Sequence, residues 1–147
     1  MIATEHKSYE KDFCAWAFRS AELLRNKQFG EIDIENIAEE IESMGKSARR
    51  ELTNRLAVLF AHLLKWKFQP ERRGNSWKNS IEEQRDEIIE LIEDSPSLKY
   101  ELNDKLERAY KRGVLIASTE TEMPKEMFPE NCPFTLEDCL NIDFLPE

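Results

Sequence analysis

The sequence predicts an all-α protein, a helical bundle of four main helices with a long second helix, bent or unbroken, and an irregular C-terminal tail packed on it. Three observations predict it. Four glycines and six prolines in 147 residues leave room for long uninterrupted helices. Apolar residues recur at spacings of three and four, which lines them along one helix face. Helix-start and helix-stop residues bracket those stretches, and no strand, internal repeat or low-complexity segment interrupts them. The length suits one domain, residues 1–147, with a tail from about 124 that holds one short helix.

The first helix is expected from about Ser8, its cap, to Gln28. Tyr9, Phe13, Trp16, Ser20 and Leu23 form its inward stripe, and Gly30 stops it. The second starts at Asp33, which can accept a first-turn amide. With Ile34 at 0°, residues Ile41, Ala48, Leu52, Leu56, Leu59, Leu63 and Trp66 all fall within about 40° of it. Gly45 is the expected bend, because glycine weakens a helix interior by about 1 kcal/mol. From Leu56 to Phe68 the opposite face is apolar too. That segment must be central to the domain or covered by a second copy of the chain. Gln69-Pro70 ends it.

The third helix begins near Ser76, with Trp77, Ile81, Ile88 and Ile92 inward. "DSPSL" closes it and opens the fourth, with Ser95 as cap and Pro96 at the first helical position. The fourth helix runs to about Glu122 and offers Leu98, Leu102, Leu106, Ala109, Val114 and Ala117 to the core. In the tail, Thr135 and Asp138 have the spacing of a capping box. Phe128, Phe134, Leu140 and Phe144 can pack it onto the bundle.

Charge is segregated. Residues 46–78 hold nine Lys/Arg against two Asp/Glu, a net +7, while the remainder carries −16 within a total of −9. The amino terminus lacks the pattern of a secretory signal, and no apolar run approaches the ~20 residues of a membrane span. Three sparse cysteines read as reduced thiols. A cytoplasmic protein without membrane contact is the expectation.

The stretches "YEKDFCAW", "ELLR", "DIENIAEEIESMG", "LLKWKFQPERR", "SW", "EQR", "DSPSL", "ETEMP", "FPENCPF" and "DFLPE" carry a likeness. Together, in this order over nearly the whole chain, they resemble the bacterial family known as domain of unknown function twenty-nine, abundant in cyanobacteria. The resemblance implies an all-helical cytosolic protein. It implies no activity and assigns no catalytic or ligand residue.

Several residue sets have the chemistry for a site. Glu35, Glu39 and Glu42 share a helix face, and Glu39 and Glu42 with His62 would suit a metal-dependent hydrolase. The Glu-x-x-His di-iron signature is absent, and His62 is 23 residues from Glu39. The plainer reading places acids at a helix amino end, with Glu42 pairing Lys46. Cys132 and Cys139 have the wrong spacing for zinc. No catalytic residue, metal site or cofactor is assigned.

Lys65, Lys67, Arg72, Arg73 and Lys78 flank Trp66 and Trp77 as a basic patch that could meet phosphates and stack bases. The local reading instead puts Trp66 in the core and lets Arg72 and Arg73 bridge to acidic helices. Arg85 lies four after Ile81 and three before Ile88, on an apolar stripe. A buried guanidinium needs acceptors, and Glu39, Glu40 and Glu42 are the expected partners in a structural clamp. The function read from all this is a non-catalytic protein–protein interaction module whose partner is an unknown protein or a second copy of the chain. Nucleic-acid binding through residues 46–78 is the alternative, and the hydrolase a further one.

Overall fold

An aspartate, rather than Ser8, begins the first long helix. The computed structural model describes residues 8–147, and a helical turn at 8–11 precedes α1 (Phe13–Arg25). The Asp12 carboxylate accepts the Ala15 amide at 3.0 Å, and a full negative charge suits the positive end of a helix. Gly30 is not the stop either. Lys27 takes the left-handed conformation, with φ 60°. The Gln28 amide then reaches the Leu23 carbonyl at 2.9 Å, and the Lys27 amide reaches Leu24 at 3.0 Å, a Schellman closure. Gly30 follows in a 3₁₀ turn, Phe29–Glu31.

Next comes α2 (Ile34–Phe68), opened by Asp33 as expected. One oxygen of the buried Asp33 accepts the Asn36 amide at 3.2 Å, and the other accepts the Asn36 side chain at 2.6 Å. Gly45 lies within the helix and does not interrupt it. Two compact units divide the chain, the second starting at Ala48. The first buries Trp16, Ser20 and Leu23 of α1, with Tyr9 edge-on to Trp16 at 4.7 Å. Tyr9 donates to the Glu40 carboxylate at 2.5 Å, and that hydrogen bond holds its phenol up to about 12.

In the second unit the all-round apolar segment is the core. Leu56, Leu59, Phe60, Leu63 and Leu64 are wholly inaccessible. What covers them is α3 (Asn75–Asp94), α4 (Leu98–Thr121) and the tail with α5 (Leu136–Leu140). No second copy is needed to bury this segment. Ser95 closes α3 through its amide on the Leu91 carbonyl and does not cap α4. Short i→i+3 bonds from Leu98 to Ser95 and Lys99 to Pro96 carry the chain into α4. Thr135 and Asp138 do form the reciprocal capping box. No strand occurs among the described residues.

Tyr110 and Gly113 are among the core residues that the periodicity did not offer. Tyr110 is fully buried and donates to the Pro129 carbonyl at 2.6 Å, tying the tail to α4. Gly113 lets α4 press directly on α2. A Cβ there would stand 2.8 Å from the Phe60 Cβ and 2.9 Å from the Ala57 carbonyl oxygen. Gly113→Ala is therefore expected to destabilise by about 2 kcal/mol, although alanine is the better helix former. A denaturant melt checks this, and a stabilised variant would show that the helices part without cost.

Candidate functional site

Ion pairing within the second unit engages Arg49, Arg55 and Lys65 of the basic segment. Lys65 is buried, ion-paired with Glu120, and its ammonium lies 5.7 Å over the Trp77 ring. Burial pushes its pKa down. Arg73 donates to the Trp66 carbonyl at 2.6 Å and covers the Trp66 ring at 5.2 Å. It caps the end of α2 and does not bridge to an acidic helix. Arg49 pairs with Glu101 at 3.0 Å, and Arg55 lies 3.6 Å from Glu51 and 3.9 Å from Glu87. Lys67, Arg72 and Lys78 stay exposed. Trp66 packs against the core, so it offers no open ring on which a base could stack.

Arg85 is buried, as its place on the stripe requires, being 1% exposed. Its partners correct the expected clamp with Glu39, Glu40 or Glu42. Nε donates to the Cys139 carbonyl at 3.3 Å and Nη2 to the Asp138 carbonyl at 3.0 Å. The guanidinium also lies 5.8 Å from the Phe144 ring. The last turn of a helix leaves carbonyls without amide partners and carries partial negative charge. Arg85 supplies donors to that turn of α5. It is a clamp, but between α3 and the tail.

Glu35, Glu39 and Glu42 are exposed and carry no ion pair among the described residues, so the expected Glu42–Lys46 pair is not formed. His62 donates from Nδ1 to the Val58 carbonyl at 2.9 Å, and burial lowers its pKa, so the ring is neutral near pH 7. Among the described residues no three His, Cys, Asp or Glu side chains stand where one metal ion could join them. Burial raises the Cys132 thiol to about 11 and Cys139 to about 12, while Cys14 is exposed. At pH 8, iodoacetamide should alkylate the native protein once, at Cys14, and three times in denaturant. Two or three adducts on the native protein by mass spectrometry would contradict the burial of Cys139 and the half-buried placement of Cys132.

A cleft of about 600 Å³ borders α4, lined by Tyr110, Val114, Leu115 and Phe128 with Lys111, Lys125, Glu126 and Glu130. Its charges are balanced, and its phenol is already bonded to Pro129. It presents no set of converging free polar groups of the kind that orients a reacting substrate.

The outstanding surface lies in the first unit. On α2, Ile34 is 62% exposed, Ile41 64% and Met44 73%. Phe13, Phe18, Leu24 and Phe29 are exposed as well. The stripe that forms the core from Leu52 to Leu63 is thus bare at its amino end. Periodicity identified this face as apolar but gave no sign that it would lack a cover. Among the described residues no helix is long and apolar enough to cross a membrane.

No curated protein and no solved structure matches the chain. The model of one family, described as "Domain of unknown function DUF29", matches residues 8–145. With the match spanning nearly every residue, the chain belongs to the DUF29 family.

Proposed function

We propose that the protein is a non-catalytic protein–protein interaction module that docks its partner on the exposed face of α2 around Ile34 and Ile41. The exposure of that stripe is the observation that carries the reading. Two isoleucines seven residues apart, both more than half exposed, keep apolar surface in water at a cost of about 25 cal/mol per Å². A contiguous apolar stripe left in water is the kind of surface that supports an interaction site. The engagement of Lys65 and Arg73 inside the fold weakens the case for nucleic-acid binding, since two of the five patch cations are turned inward.

The test is affinity capture from the native host with three baits. These are the wild-type chain, Ile34→Gln/Ile41→Gln, and the control Tyr100→Gln, whose exposed ring lies in the second unit. A protein held by the wild type and the control but lost from the double variant is the expected result. Identical capture by all three baits would overturn the reading. So would captured material that disappears on nuclease treatment, which would point to residues 46–78.

A further inference from the structure

The rim of the exposed stripe specifies the charge of what it fits. With Ile34 at 0°, the residues Ala38, Ile41 and Gly45 lie within about 40° of it. Glu42, Glu35 and Glu39 follow on one side at about 80°, 100° and 140°. All seven residues are exposed. A Cβ added at Gly45 would meet nothing within 4 Å, so Ala38 and Gly45 leave open grooves between larger side chains. On the opposite flank the Glu40 carboxylate is occupied by the Tyr9 hydroxyl. The three carboxylates on the free flank have no basic partner among the described residues and repel one another at spacings of four and three.

We infer that the occupant of this face is a basic amphipathic helix of a partner protein, about three turns long. It presents an apolar stripe to Ile34 and Ile41, and a row of Lys or Arg to Glu35, Glu39 and Glu42. This rests on the docking role proposed above and adds the partner's chemistry. A second copy of the chain would bring an identical carboxylate row to the same flank. An anionic membrane surface is repelled for the same reason.

Two synthetic helical peptides with one apolar stripe, flanked by Lys in the first and by Glu in the second, test it by fluorescence anisotropy against the full chain. The Lys peptide should bind at least about tenfold more tightly at low salt, with the advantage shrinking at about 0.5 M salt. Glu35→Lys/Glu39→Lys/Glu42→Lys should reverse the preference, and Ile34→Gln/Ile41→Gln should abolish both complexes. Equal binding of the two peptides, lost in the isoleucine variant, overturns the basic partner and leaves the docking role standing. No binding by either peptide, or binding indifferent to the isoleucines, removes both. A dimer seen by sedimentation and dissolved by Ile34→Gln/Ile41→Gln places a second copy on the face and overturns the inference.

Discussion

Phe60→Ala is expected to lower stability by about 4 kcal/mol, the largest effect of any single truncation in the second unit. Its ring is wholly inaccessible and lies where three elements meet. It stacks on Phe134 of the tail at 6.0 Å with the planes 11° apart, and it meets Tyr110 of α4 edge-on at 6.0 Å. Its Cβ also faces Gly113 at the closest approach of α2 and α4. Removing the ring takes away the transfer energy of an aromatic side chain and leaves a cavity that rigid neighbours fill only in part. Both aromatic contacts are lost at once. Urea melts read the change directly, and a loss below about 1 kcal/mol would mean that the ring is not central.

Arg85→Met should cost about 3 kcal/mol, by a different route. Methionine keeps most of the buried volume but donates nothing, so the carbonyls of Asp138 and Cys139 lose their charged donor. The loss should concentrate in the tail. Limited proteolysis should cut Arg85→Met beyond Phe128 before any other site, while the wild type resists there. Arg85→Lys should recover only part of the loss, because one ammonium cannot reproduce the forked donor. If Arg85→Met changed stability by less than about 0.5 kcal/mol, the guanidinium would not be what holds the tail.

Most of the helix plan was legible because it depends on local chemistry. Asp33 caps α2, Gln69-Pro70 ends it, and Thr135 with Asp138 forms the capping box that opens α5, each where a short-range signal placed it. The burial of Arg85 was legible too, since spacing alone puts it on the stripe of Ile81 and Ile88. Its partners were not, because they are main-chain carbonyls of the tail, 53 and 54 residues away. No periodicity reports where an irregular tail will lie. Gly113 was not legible, because Gly45 sits inside a helical pattern just as it does, and only Gly113 meets a neighbouring helix. The caps of α1 and α4 were misread for a simpler reason. Several residues there can cap, and Asp12 and Ser97 took the positions expected of Ser8 and Ser95.

The candidate site was legible in part. An apolar stripe from Ile34 to Trp66 follows from the sequence, but the sequence does not say what covers it. Its carboxyl half is core, with Leu56, Leu59 and Leu63 at 0% exposure. Its amino half is bare and acidic-edged, and the proposed function rests on that difference. The direct test is the denaturant midpoint of Ile34→Gln/Ile41→Gln against wild type. Glutamine is a good helix former, so a face open to water should tolerate both changes within about 0.5 kcal/mol. A loss of about 2 kcal/mol or more would show that the isoleucines are already buried in the protein in solution, and that the face is not free to dock anything.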